Sequence, residues 1–186
     1  MPRDDNNWLI RETSPQDDQE IVEVNCLACW SDRQRVSVER LRAEGALILS
    51  LAGVARQRIV GHILFARVFA RSPVAVLPGV CLSPLAVIPG WRARGIGSAL
   101  VRCGLAVCQK RGENFAVVQG DNRFYSRFGF SAETGRQLAT KHSAEGEAWM
   151  AMELKAGALT GFQGEVVFPE AFSVADVPGE PRGSGS

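Results

Sequence analysis

An apolar run at residues 80–87 leads through the turn IPGWRARG into a helical pattern at residues 97–110. In that pattern Ile96, Leu100, Cys103 and Val107 recur at helical spacing, and Val101, Leu105 and Cys108 widen the stripe. So broad an apolar face suits a helix lying on a sheet, and Gly112 marks its end. The strand before it carries Pro84. Proline donates no hydrogen bond, so a ladder running unbroken through Pro84 is not expected. The strand is expected to bulge there or to part from a neighbour. Strand, turn and helix in this order put the helix start at the strand's carboxyl end.

The rest of the chain supplies layers for the same sheet. A short strand at Leu9 and Ile10 precedes a helix start, with Ser14 as cap, Pro15 in the first position and Asp17 at the positive end. Ile21, Val24 and Ala28 follow at helical spacing, and a second helix at 36–43 stops at Gly45. Residues 46–52 and 58–68 read as an antiparallel pair across a polar turn. Residues 115–119 form a further strand, and 121–128 a short helix with Asp121 as cap and Gly129 as stop. Residues 147–154 and 165–168 complete six or seven strands. The expected architecture is an α/β domain on a mixed sheet, one domain over residues 1–172 with a flexible tail at 173–186.

The glycine turn invites an anion. A helix start carries unpaired N–H groups and partial positive charge, and glycine removes the side chains that would keep a bulky group away. Gly95 and Gly97 are spaced for a diphosphate held by consecutive amides, with Arg92 and Arg94 adding charge or packing the turn. The alternative is a glycine-eased helix start with no ligand. No GxxxxGK[ST] run exists, and Gly95-Ile96-Gly97 lacks the third glycine of a dinucleotide fingerprint.

The segment Arg92-Ala93-Arg94-Gly95-Ile96-Gly97 resembles Q/R-x-x-G-x-G/A, the acetyl-CoA signature of the GNAT N-acetyltransferases. The preceding strand LSPLAV also looks like that family's, and YSRFGF (Tyr125 to Phe130) resembles its Y-x-x-x-G-F element. GHILF, GIGSALV and YxRFGF in this order, with a tail like GALTGFQGEVVFPEAF, resemble a branch of small bacterial acetyltransferases. The resemblance runs from about residue 9 to 172 and implies a mostly antiparallel sheet whose central strands splay.

The resemblance further implies that coenzyme A lays its pyrophosphate on the backbone of Arg92, Ala93, Arg94, Gly95, Ile96, Gly97 and Ser98. Its pantetheine arm would pair with Leu85, Ala86 and Val87, the Val87 amide polarising the acetyl carbonyl. Tyr125 matches the tyrosine that in many relatives protonates the departing thiolate. A phenol of pKa about 10 gives a proton to a thiolate of about 8.5 only uphill, by about 2 kcal/mol. A site that raised the thiolate's pKa or lowered the phenol's would close the gap. The alternative is that Tyr125, Phe124 and Phe128 only pack the short helix. Where the branch has a segment like GDPxYY, this chain has Gly120-Asp121-Asn122-Arg123-Phe124-Tyr125. Asn122 would hydrogen-bond the cofactor arm or cap the helix.

No residue announces itself as the general base. His62 shares a face with Val60 and Leu64 and reads more readily as a packed histidine. Glu23, Asp121 and Glu147 are the carboxylates to weigh. Cys26 and Cys29 make a CxxC, but His62 and His142 are the only histidines, and the pair falls late in a helix, so neither a metal nor a redox role is expected. Trp30 and Trp149 would line an acceptor pocket or pack the core, and Arg33, Arg35, Arg40 and Arg42 read as a solvated face.

A net charge of +1 gives no reason to expect nucleic acid or an anionic membrane as partner. No apolar run approaches the ~18 residues of a membrane span. The N-terminus lacks an apolar signal segment, and five cysteines fit a reducing cytoplasm better than a disulfide framework. The expected activity is acetyl transfer from acetyl-CoA, with no metal, to the primary amine of a small molecule or peptide, by direct attack in a ternary complex. A non-catalytic acyl-CoA-binding module and a phosphate-binding protein unrelated to CoA are the alternatives. Homo-oligomerisation is left open.

Overall fold

The computed structural model describes residues 7–28, 38–141 and 147–172. The sheet runs β1 (Trp8–Glu12), β2 (Leu47–Ala55), β3 (Arg58–Arg71), β4 (Val76–Val87), β5 (Phe115–Gly120) and β7 (Ala148–Glu153) in spatial order. The two-residue β6 (Leu138–Ala139) pairs with β8 (Gly164–Val167), which pairs with the far end of β3. Eight strands result, more than the six or seven expected, because β6 is too short to leave a pattern. All pairings are antiparallel except β4–β5 and β6–β8.

The hairpin of β3 and β4 is longer than its apolar core suggests, and reaches exposed residues such as Val76. Pro84 acts twice in β4. The β3–β4 register skips there, with Ile63 opposite Leu85 and Phe65 opposite Leu82. On the other side β4 and β5 pair only at Val80↔Ala116 and Cys81↔Val117. Beyond Cys81 the two parallel strands part, so the sheet is splayed at its centre.

Helix α3 (Ile96–Lys110) covers one face. Its buried residues are Ile96, Leu100, Val101, Gly104, Leu105 and Cys108. Cys103 and Val107 are only half-buried, so the contact stripe is turned away from them toward Gly104. The reason is Phe65 on β3, whose ring occupies the place a Cβ at Gly104 would need. Gly53 and Gly61 do the same for the Ile96 side chain, which stands 2.8 and 3.0 Å from where their Cβ atoms would lie. Small residues let α3 sit close to β2 and β3.

Helices α1 (Asp18–Ala28) and α2 (Val38–Ala43) cover the opposite face, with Ile21, Val24, Val38 and Leu41 packed on Ala52, Leu64 and Ala66. Residues 36 and 37 of the expected second helix lie outside the described residues, as do Cys29, Trp30, Arg33, Arg35, His142 and the tail at 173–186. Val60 does not share a face with His62. It has no partner where Gly53↔Gly61 gives way to Val54↔Ile59, and this bulge sends it to the α3 side. Arg42 departs from the solvated face expected of it. Its guanidinium bonds both Asp18 carboxylate oxygens, at 2.7 and 2.6 Å, joining α2 to α1, while Arg40 stays at the surface 3.9 Å from Glu44. No helix among the described residues is long and apolar enough to cross a membrane.

Candidate active site

The mouth of the β4–β5 split is built from three chain segments. The first is the end of β4. Ile88 N–H donates to the Val60 carbonyl at 3.0 Å, which makes that pair a hydrogen-bonded one. Pairs alternate in an antiparallel ladder, so His62↔Ala86 is the next bonded pair, and Leu85 and Val87 turn their main-chain groups away from β3. Leu85 and Val87 therefore face the side where β5 has left. Ala86, expected alongside them, spends its main-chain groups on β3.

The second segment is the turn. Pro89–Trp91 forms a 3-10 turn, closed by Arg92 N–H on the Pro89 carbonyl at 3.3 Å. Ala93 and Gly95 take left-handed conformations, with φ of +60° and +83°. Gly95 relieves one of them; Ala93 takes the other with no sequence signal. The first bond of α3 is Ala99 N–H to the Gly95 carbonyl at 2.9 Å, so the amides of Ile96, Gly97 and Ser98 have no partner within the helix. A Cβ on Gly95 would meet nothing within 4 Å, and one on Gly97 would make only ordinary contacts, with Val87 Cγ2 at 3.7 Å and Phe124 Cζ at 4.0 Å. The space beside Gly95 is open, and Gly97 puts no side chain between the amides and Val87 and Phe124, as a bulky anion needs.

The two arginines do different things from a phosphate clamp. Arg94 stacks on the Trp91 ring at 4.7 Å, and Arg56, from the β2–β3 turn, lies 5.9 Å from the same ring. Arg92 donates from Nε to the Val87 carbonyl at 3.1 Å and from Nη2 to the Ala28 carbonyl at 3.0 Å. Of the two roles the sequence left open, its side chain packs the turn.

The third segment follows β5. Asp121 accepts from Arg123 N–H at 2.8 Å and so caps α4 (Asn122–Tyr125); the cap is Asp121, not Asn122. Gly129 ends the segment at φ +98°. Tyr125 is 8% exposed, edge-on to Phe124 at 4.9 Å and to Phe130 at 5.8 Å. Its ring rests on Gly120, where a Cβ would lie 2.7 Å from Cε2. Burial, then the neighbouring Cys81 and Glu147, push the phenol's pKa above its ordinary value. The Cys81 thiol is pushed up to about 12, again by burial.

Val87, Gly97 and Phe124, the neighbour of Tyr125, thus meet at one point. Phe124, read from sequence only as packing, is what carries α4 against the turn. Asn122, Ala93 and Arg92 are exposed around it, and Ile96 points into the core.

The candidate bases separate. His62 is fully buried, with Nε2 2.9 Å from Ser50 Oγ and Nδ1 3.1 Å from Asn25 Oδ1. Thr13 donates to Ser50 Oγ at 2.7 Å, leaving the Ser50 proton for Nε2. His62 then carries its own proton on Nδ1 and gives it to Asn25. Burial and the charge of Arg42 lower its pKa to about 3, so it is a neutral packed histidine with two side-chain partners. Glu23 lies 3.9 Å from Arg58, and Asp121 is engaged as a cap. Glu147 is exposed, and its charge acts on Tyr125. Trp149 is half-buried and donates Nε1–H to the Leu138 carbonyl at 2.7 Å. Cys26 is exposed, and among the described residues no group of three His, Cys, Asp or Glu side chains is placed to hold a metal.

Known proteins share this fold. The model of the acetyltransferase (GNAT) domain matches residues 49–132, which span β4, the turn, α3 and α4. The uncharacterized N-acetyltransferase YhbS of Escherichia coli K12 is 31% identical over 170 residues, covering 89% of this chain and 98% of the relative. YjhQ of the same organism is 29% identical over 164 residues, covering 83% and 89%. The crystal structure of Escherichia coli YhbS in complex with CoA superposes with a TM-score of 0.80 at 29% identity, over 91% of this chain and 94% of the other. A Brucella melitensis GNAT acetyltransferase in complex with acetyl-CoA gives 0.72 at 31% identity, over 90% and 99%. A strand parted from its neighbour, a glycine turn of open amides and a tyrosine helix packed against them, on a sheet these relatives share over most of its length, make this chain a member of the GNAT N-acetyltransferases.

Proposed function

We propose that this chain moves the acetyl group of acetyl-CoA directly to a primary amine of a small molecule or peptide. The observation that carries the reading is the meeting of Val87, Gly97 and the Phe124–Tyr125 pair at the mouth of the β4–β5 split. Two relatives with the same fold hold CoA or acetyl-CoA in their crystals, which supports the same co-substrate here.

In this reading the amides of residues 95–98 hold the pyrophosphate, with the positive end of α3 behind them. Leu85 offers its main-chain groups to the pantetheine arm, and Val87, whose carbonyl is held by Arg92, polarises the acetyl carbonyl with its N–H. The amine nitrogen forms its bond to the carbonyl carbon, the carbon–sulfur bond breaks, and the sulfur takes a proton from the Tyr125 hydroxyl. Tyr125 is kept protonated by burial, the reverse of the lowered pKa that would ease transfer. A departing thiolate held in an equally buried setting would have its own pKa raised by the same loss of solvent, which narrows the gap between the two acids. Glu147 is the carboxylate proposed to take the amine's proton through water. The proposed setting is the cytoplasm, in keeping with four described cysteines that are all free thiols.

The test is thiol release. Purified protein with acetyl-CoA and an amine panel is followed with a thiol reagent, alongside calorimetric binding of CoA. Release that depends on an amine and falls sharply in Tyr125→Phe supports the reading. Tight CoA binding with no release from any amine would leave a binding module, and absence of binding would remove CoA altogether.

A further inference from the structure

Arg92 occupies the position where a cation beside a glycine turn is expected to face phosphate, yet its side chain is turned elsewhere. Nε bonds the Val87 carbonyl at 3.1 Å and Nη2 the Ala28 carbonyl at 3.0 Å. One guanidinium therefore spans the last residue of β4 and the last residue of α1. Both acceptors suit it. Ala28 is the last described residue of α1, and no basic residue in the last described turn of the helix competes for its carbonyl. The Val87 carbonyl faces away from β3, so no sheet partner competes for it. Lysine could satisfy one of these oxygens, but the rigid fork of arginine reaches both in one geometry.

The consequence lies in what the fork connects. Arg92 N–H closes the turn on Pro89, and Ala93 and Gly95 follow in left-handed conformations, so the base of the Arg92 side chain moves with the turn. At the other end, α1 packs across β3 and β4 on the face opposite α3. Its middle is tied to the sheet through Asn25 and His62, while its C-terminal carbonyl is tied to the turn through Arg92. We propose that Arg92 is a positioning residue that couples anion binding on the glycine turn to the C-terminal end of α1 and to the Val87 peptide. It acts through these two carbonyls and not as a phosphate ligand. An anion that fixes the turn fixes Arg92, and with it the end of α1 to which Ala28 belongs. This rests on the reading of the turn as the CoA site.

Coupling is reciprocal: the factor by which a ligand steadies α1 is the factor by which a steadied α1 tightens the ligand. Hydrogen exchange over residues 18–28, read by mass spectrometry with and without saturating CoA, is therefore paired with calorimetry of CoA. In the wild-type protein CoA is expected to slow exchange in the last turn of α1 about fivefold, the low end of ordinary coupling. Arg92→Met loses that increment and binds CoA more weakly by the same factor. Arg92→Lys, which keeps the charge at α1 but not the fork, restores slow exchange in the ligand-free protein and not the increment on adding CoA. Full ligand-induced slowing in Arg92→Met overturns the proposal. So does a loss of affinity near a hundredfold with α1 exchange unchanged, which would make Arg92 a phosphate ligand. Should the wild-type protein fail to bind CoA, the reading of the turn falls. Comparison of ligand-free wild type with Arg92→Met then still decides the clamp, because faster exchange at the end of α1 supports it and identical exchange rejects it.

Discussion

The two sides of the sheet's centre are finished in opposite ways. At the β4–β5 split the protein presents main chain: amides at the start of α3, the main-chain groups of Leu85 and the Val87 N–H, open space beside Gly95, and no side chain on Gly97 between Val87 and Phe124. On the α1–α2 side it presents nothing of the kind. There a chain of side-chain bonds runs from Asn25 through His62, Ser50 and Thr13 to Arg42 and Asp18, closed to solvent at its centre. The open side can take a ligand because its polar groups still want partners. The closed side can hold helices in place because its polar groups already have them.

The sharpest way to separate the two is chemistry. Tyr125→Phe keeps the ring on Gly120 and removes one proton donor. It is expected to lower kcat by roughly 10²- to 10⁴-fold in the thiol-release assay while CoA affinity and melting temperature hold. Unchanged kcat would return Tyr125 to packing. Next comes Gly97→Leu, whose side chain is directed into the gap between Val87 and Phe124 beside the amides, at a residue that is not left-handed. CoA affinity by calorimetry should drop roughly a hundredfold, the scale of two lost hydrogen bonds to a charged group. Thermal stability should stay close to wild type. A variant that bound CoA normally would break the division at its open side.

The closed side should answer in stability alone. His62→Leu leaves the Ser50 hydroxyl proton and Asn25 Oδ1 without the partners that His62 gave them and is expected to cost about 2 kcal/mol in denaturant unfolding, with little change in CoA affinity. The same residue predicts a pH signature. Its folded-state pKa is depressed to about 3, against about 6.5 in the unfolded chain. Between those values the unfolded chain binds the extra proton, so the stability owed to neutral His62 is complete above about pH 6.5 and is lost as pH falls toward 3. Melting temperature measured across that window should fall more gently in His62→Gln than in wild type; parallel curves would deny the assignment. The smallest effect is expected at Asp121→Ala, which removes the α4 cap at about 1 kcal/mol and loosens the segment under Tyr125. A modest fall in kcat with CoA affinity intact would show that α4 serves the chemistry and the turn serves binding.

How far each region could be read in advance follows from how it is made. Pro84 announced the parting of β4, because a missing N–H acts wherever the residue sits. Gly95, Gly97 and Gly129 announced the turn and the end of the α4 segment, since backbone demands are local. Ala93 shows the limit: its left-handed conformation has no glycine to betray it, and the neighbouring turn imposes it. Gly104 could not be read as a packing site, because the ring that requires it, Phe65, lies 39 positions away in the chain and meets it only across the sheet and helix. Arg42 looked like one of a set of solvated arginines, and its bond to Asp18 depends on where α1 lies. The role of Arg92 was open for the same reason: a cation beside a phosphate turn and a fork between two carbonyls look alike in sequence.

The chain's order of residues by itself determined the strand–turn–helix unit and the break at Pro84, because each is a short-range consequence of missing or special backbone chemistry, and it carried the motifs on which the resemblance to the family rests. Only the tertiary structure decided which groups face the split, that His62 is sealed with two partners, that Phe124 leans on Gly97, and that Arg92 joins α1 to β4. Those outcomes depend on directions and distances between segments far apart in the chain, and a hydrogen bond or a ring contact exists only once packing has brought its two ends together.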